Sequence, residues 1–321
     1  MKKTTKKVLK IILPLSLGVF LIWYSTKSAT PQERQELLAN ITSAHPGWVL
    51  LSMLFGLLSH LSRAYRWKFL LEPLGYKPRF LNSFMAVMVA YLANFGIPRS
   101  GEVLRAVTIS SYEKIPFEKA FGTIISERIA DFIMLLLVIS LALLLQTEYL
   151  LDYFEENNIN PFFTIAALFG LLAIGILILK QIKKSKRGIL LKVKNFAKGL
   201  LEGMRSILKM KQKGAFLFHT LFIWGMYLSM FSILIFTVPA TSSLPFGVIM
   251  VAFVVGSFAI SATNGGIGVY PIAIGASLML FGISKEAGEA FGWITWGTQT
   301  VLVIIIGGLS FLFLPILNRQ K

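Results

Sequence analysis

Long apolar runs, separated by short polar loops, recur along the chain from Val8 to Leu317. A helix needs roughly 20 apolar residues to cross about 30 Å of hydrocarbon. Runs near that length lie at 8–24, 47–62, 81–97, 121–146, 161–180, 215–238, 244–262, 267–283 and 289–317. This pattern predicts an all-α fold, a polytopic transmembrane helix bundle with about 7–9 membrane segments. Run 8–24 has five lysines at and before its start (Lys2, Lys3, Lys6, Lys7 and Lys10) and closes on Trp23-Tyr24, which reads as a retained anchor rather than a cleaved signal peptide. The whole chain, 1–321, is expected to form one membrane domain. Its first half covers about 1–146 and its second about 161–317, joined by loop 147–160.

Two places break the pattern. Asn94-Phe95-Gly96-Ile97-Pro98-Arg99-Ser100-Gly101-Glu102 has two glycines and a proline where a spanning helix should continue. Ser261-Ala262-Thr263-Asn264-Gly265-Gly266-Ile267-Gly268-Val269-Tyr270-Pro271 interrupts the second half in the same manner. Broken backbone at membrane depth is tolerated only where it is buried in protein or lines a wet cavity. Corresponding breaks in two halves are also the sequence pointer to a transporter site built from inverted repeats, which makes an inverted repeat one reading of the chain.

Composition agrees with a membrane chain: 55% of residues are hydrophobic, only 15% are charged, and mean hydropathy is +0.70. A soluble domain carries about 25% charged residues to build its polar shell. The net charge of +17 does not point to nucleic acid, because the bases sit in short segments between apolar runs. Residues 180–213 hold twelve Lys or Arg against one acid, Glu202, whereas 146–160 hold four acids and no base. By the positive-inside rule the basic loop at 180–214 is cytoplasmic and the acidic one external. Both termini are then cytoplasmic, in a bacterial-type inner membrane. Segment 47–62 leads inward and 121–146 leads outward. The single apolar run between them, 81–97, must therefore enter and return on one side as a re-entrant broken helix. For 244–262 and 267–283 the same parity argument allows either spans or a re-entrant pair. The basic loop also holds an amphipathic pattern, Ile189, Leu190, Val193, Phe196, Ala197, Leu200 and Leu201.

There is no cysteine, and His45, His60 and His219 are scattered singly, so no metal site and no cofactor is expected. The histidines read as interfacial or helix-end residues. Arg99, Glu102 and Arg105 share a helical face after the first break. With a helix start near Ser100 and Gly101, two guanidiniums make a candidate phosphate site, the alternative being a solvated turn. Glu127, Arg128 and Asp131 form a second cluster, either functional or a salt bridge that locks helices together. Arg63, Arg66 and Lys68, interleaved with Tyr65 and Trp67, read mainly as an interfacial topology signal.

Arg63-Ala64-Tyr65-Arg66-Trp67, Pro98-Arg99-Ser100-Gly101-Glu102 with Arg105, Glu127-Arg128-Ile129-Ala130-Asp131 and Asn264-Gly265-Gly266-Ile267-Gly268 together resemble the transmembrane, flippase-like region of lysylphosphatidylglycerol synthases. The resemblance covers nearly the whole chain. It implies a lipid-translocating bundle that binds an anionic phospholipid or lipid-linked headgroup. The substrate-binding set carried over is Arg66, Asn94, Pro98, Arg99, Gly101, Glu102, Arg105, Glu127, Arg128, Asp131, Asn264, Gly265, Gly266 and Gly268. The synthases carry an aminoacyl-transferase domain after this region. None is expected before Lys321, so lysyl transfer is not expected. Many relatives also carry a glutamate shortly after the second glycine motif, where this chain has Tyr270-Pro271.

Three function classes follow. The first is a lipid translocase. The second is an integral membrane enzyme, for which only Glu102, Glu127 and Asp131 offer acid–base chemistry. The third is a membrane scaffold for a separately encoded lipid synthase or glycosyltransferase, with an oligomer allowed. An ATP-driven pump is not expected, because the chain has no Gly-rich phosphate loop with Lys-Ser or Lys-Thr.

Overall fold

A computed structural model describes residues 30–97, 100–156, 210–263 and 265–319. Within them the protein is all helical, with ten α-helices, three short 3-10 segments and no strand among the described residues. The helices are α1 (Pro31–Thr42), α2 (Pro46–Leu71), α3 (Phe80–Gly96), α4 (Gly101–Glu113), α5 (Phe117–Leu145), α6 (Thr147–Glu156), α7 (Lys213–Ser232), α8 (Phe246–Ala262), α9 (Val269–Met279) and α10 (Lys285–Ile316). The anchor 8–24, run 161–180 and the amphipathic stretch 189–201 lie outside the described residues.

Local chemistry sets the helix ends. Thr30 and Glu33 form a reciprocal capping box ahead of α1, and Ser284 accepts the Ala287 N–H at the start of α10. Pro31 and Pro46 occupy first turns, where a missing donor costs nothing. α4 stops at Lys114, which takes a left-handed conformation with φ 54° ahead of Pro116.

Four helices are long and apolar enough to cross a membrane: α2, α5, α7 with its 3-10 extension to Thr237, and α10. α3 and α8 are apolar but have only 17 residues each. Seventeen residues rise about 26 Å, short of the roughly 30 Å hydrocarbon thickness. The protein is a polytopic helical bundle.

The short helices pair into two hairpins. α3 and α4 leave and return at the same end, where Asn82 Nδ2 donates to Glu113 Oε1 at 2.5 Å and Arg79 reaches that oxygen at 3.4 Å. Asn318, just beyond α10, joins this group through Asn82 and Arg79. α8 and α9 start and finish at the other end of α5. Gly247 packs on Leu145 and Gln146 there, and Tyr149 O–H donates to the Leu280 carbonyl at 3.1 Å.

Midway between, the tips touch. A Cβ on Gly265 would fall 2.6 Å from the Phe95 ring, and Gly265 has φ +66°, so glycine is required on both counts.

One apolar cluster fills the α6 end, around Phe231, Val248, Ile274 and Phe291. A second fills the Glu113 end, around Trp67, Leu71, Ile109 and Ile124. The order of elements, long helix, short, short, long, runs from α2 to α5 and again from α7 to α10.

Candidate functional site

α2 and α5 run antiparallel and are fastened by side chains that recur every turn. Trp67 Nε1 donates to Thr123 Oγ1 at 2.8 Å. One turn on, Arg66 lies 3.6 Å from Glu127 and 3.0 Å from Asp131. A further turn on, Arg63 meets Asp131 at 2.7 Å. Arg63 and Arg66 share a face at i, i+3, as do Glu127 and Asp131 at i, i+4, so antiparallel packing brings the charges into register.

α4 adds Arg105, whose Nη1 donates to Glu127 Oε2 at 2.5 Å while its guanidinium stacks on Trp67. α7 adds Thr220, which accepts from Arg66 at 3.0 Å, and Tyr227, which accepts from Arg63 at 3.3 Å. Arg63, Arg66, Arg105 and Glu127 have side chains no more than 4% exposed, and Asp131 10%. Charges buried this deeply survive only when paired and hydrogen-bonded, and removing one partner strands the other.

A cavity of about 530 Å³ opens beside this network, at the meeting point of the hairpin tips. The first hairpin and the helix before its tip supply Tyr91, Asn94, Phe95 and Glu102; the second supplies Ile260, Ser261, Thr263 and Gly265. α10 closes the wall with Trp296, Gln299, Thr300 and Val303, and α5 contributes Arg128. Trp296 Nε1 donates to the Gly265 carbonyl at 2.7 Å, so α10 holds the second tip by its backbone. Arg128 and Glu102 are 3.1 Å apart, with side chains 45% and 27% exposed. Tyr91 links cavity to network, since its hydroxyl lies 3.0 Å from that of Tyr227.

The family model for the lysylphosphatidylglycerol synthase transmembrane region matches residues 11–307. The chain belongs to that family. It is an integral membrane protein. A UPF0104 membrane protein of Methanocaldococcus jannaschii is 31% identical over 99 residues, which cover 30% of this chain and 30% of the archaeal protein. No solved structure matches the chain.

The motif residues of this family member fall into distinct places. Asn94, Glu102, Arg128 and Gly265 line the cavity. Arg66, Arg105, Glu127 and Asp131 form the buried network behind it. Gly101, Gly266 and Gly268 shape backbone. The Gly101 N–H is accepted by Asn94 Oδ1 at 2.8 Å, and a Cβ there would fall 2.3 Å from the Ala90 carbonyl oxygen. Gly266 and Gly268 have φ of +84° and +71° in the turn before α9. Pro98, Arg99 and Asn264 lie outside the described residues.

Two expectations are corrected. Arg63 and Arg66 are buried ion-pair partners of α5, because their face of α2 turns inward; of that stretch, Lys68 is the exposed cation, 3.5 Å from Glu72. His60 is buried rather than interfacial, its ring 4.6 Å from that of Tyr91. Arg105 pairs with Glu127 and packs over Trp67, and it also lines a small cavity with Asn94, Gly101 and Glu102 at the start of α4.

Sequence reading missed Tyr91, Phe95, Trp296, Gln299 and Thr300. Gln299, polar in the middle of a long apolar helix, was the available signal.

Proposed function

We propose that the protein moves a membrane lipid between leaflets, holding its anionic headgroup in the cavity between the two broken helices. The observation that carries this reading is the cavity's location. It lies where two interrupted helices converge, about half-way along α5 and α10, and it exposes a guanidinium to the interior. Interrupted helices facing each other at mid-depth are how many transporters build a substrate site.

On this reading both hairpins are re-entrant, one from each face of the membrane. The repeated order of long and short helices supports an inverted repeat within a single domain. Both termini face the cytoplasm of a bacterial-type inner membrane, and 147–160 lies outside. The ligand is an anionic phospholipid or a lipid-linked headgroup, and Arg128 is its first contact.

The test is reconstitution in liposomes with a leaflet-resolved assay, using phosphatidylglycerol and a polyprenyl phosphate. Wild-type protein should speed movement of at least one of them, and Arg128→Ala should remove most of the gain. Equal rates in protein-free, wild-type and Arg128→Ala vesicles would reject translocation.

A further inference from the structure

The network divides into two parts that differ in how easily they exchange partners. Arg63, Arg66 and Arg105 are locked to Glu127 and Asp131 with almost no exposure. Breaking such a buried pair strands a charge and is strongly unfavourable. Arg128 is different. Asp131 is 3.7 Å away and already holds Arg63 and Arg66, so the nearest partner of Arg128 is Glu102 at 3.1 Å. Both members of that pair face the cavity, and ion pairs open to solvent are weak. This pair is the exchangeable one.

Charge decides which way it exchanges. Four guanidiniums (Arg63, Arg66, Arg105, Arg128) face three carboxylates (Glu102, Glu127, Asp131) in the described network. One added negative charge makes the set neutral, whereas an added cation increases the imbalance. Arg128 also offers the planar fork that matches a phosphate in a bidentate manner.

We propose that Glu102 is an internal competitor for the anion site on Arg128, a built-in carboxylate that a monoanionic phosphate ester displaces. This rests on the cavity being the headgroup site. Glu102 then sets affinity and selectivity. It keeps Arg128 paired when the cavity is empty, and it disfavours weak anions that cannot outcompete a carboxylate already in place. Because Glu102 belongs to the first turn of α4 and Arg128 to α5, displacement also releases a tie between the first hairpin and a long helix.

The proposal predicts an unusual sign. Removing an acidic residue from the cavity wall should tighten binding, where loss of a mere structural clamp would weaken it. The experiment uses the full chain in phosphatidylcholine nanodiscs. Titrants are dihexanoyl phosphatidylglycerol, a short-chain monoanionic phosphodiester, and inorganic phosphate, read by calorimetry. Glu102→Gln should lower the Kd for the phosphodiester up to about fivefold, the upper end of the range expected for loss of an exposed ion pair. Glu102→Ala should act in the same direction and serves if the glutamine variant does not fold. Arg128→Gln should raise the Kd at least tenfold.

Tightening for the phosphodiester alone assigns a lipid headgroup. Tightening for both titrants assigns the phosphate group whatever carries it. An unchanged or raised Kd in both Glu102 variants, with Arg128→Gln still disruptive, overturns the competitor role while leaving the cavity reading intact. Wild-type affinity in Arg128→Gln overturns the cavity reading itself.

Discussion

Arg105 sits over Trp67, its guanidinium carbon 3.8 Å from the ring centroid, while Nη1 donates to Glu127 at 2.5 Å. The same indole donates through Nε1 to Thr123 at 2.8 Å. Trp67 therefore joins α2, α4 and α5 at one point. Stacking gives a desolvated cation a partner on the face that hydrogen bonds leave uncovered. Arg105 needs that partner, because its Nε and second terminal nitrogen have no acceptor among the described residues.

Arg105→Lys should destabilise the detergent-solubilised protein by about 1–2 kcal/mol, since a cation still faces Glu127 and the stacked plane is lost. Arg105→Ala should cost more, about 3 kcal/mol, because Glu127 then retains only the 3.6 Å contact with Arg66. Thermal unfolding monitored by circular dichroism measures both. Wild-type stability in Arg105→Lys would show that the stack contributes nothing, and equal losses for Lys and Ala would show that the charge facing Glu127 contributes nothing.

Asp131→Asn should be among the most damaging substitutions in the chain. Asp131 bonds Arg63 at 2.7 Å and Arg66 at 3.0 Å, so neutralising it leaves two buried guanidiniums short of charge. The expected loss is about 3–5 kcal/mol. Glu102→Gln, in a half-open pair, should change stability by no more than about 1 kcal/mol. If the two variants unfold at the same temperature, the division into fixed and exchangeable pairs is wrong.

Gly265→Ala should destabilise more than Gly282→Ala. Both glycines have positive φ, +66° and +80°, and carry a similar backbone penalty. At Gly282 a Cβ meets nothing within 4 Å, whereas at Gly265 it lies 2.6 Å from Phe95. The difference between the two variants isolates contact at the hairpin tips. Adding Phe95→Ala to Gly265→Ala should recover part of the loss; no recovery in a melting assay would mean that strain elsewhere dominates.

The first hairpin should expose both its ends to one side of the membrane. The chain has no cysteine, so Lys77→Cys and Ser111→Cys are clean single labels. An impermeant maleimide applied to intact cells and to inverted vesicles should modify the two positions together. Modification from opposite sides would mean that this segment crosses.

The sequence by itself determined the membrane class, the positions of the apolar helices and the two breaks. These are local properties. Hydropathy over some twenty residues decides whether a segment enters lipid, and glycine and proline interrupt a helix wherever they stand. Segments expected at 47–62, 81–97 and 121–146 correspond to α2, α3 and α5, with α2 running on to Leu71 and α5 beginning at Phe117. The motifs also marked Asn94, Glu102 and Arg128, which line the cavity.

Tertiary structure decided which charges are buried and which are open. Arg63, Arg66 and Arg128 look alike in sequence, each beside apolar neighbours near a segment end. Only the antiparallel register of α2 against α5 sends Arg63 and Arg66 inward to Asp131 and leaves Arg128 half exposed to the cavity. The convergence of Phe95 on Gly265, and the closing of that space by Trp296 and Gln299 of α10, likewise join residues far apart along the chain. Hydropathy and motif spacing act along the chain, whereas burial and pairing depend on what lies across from it.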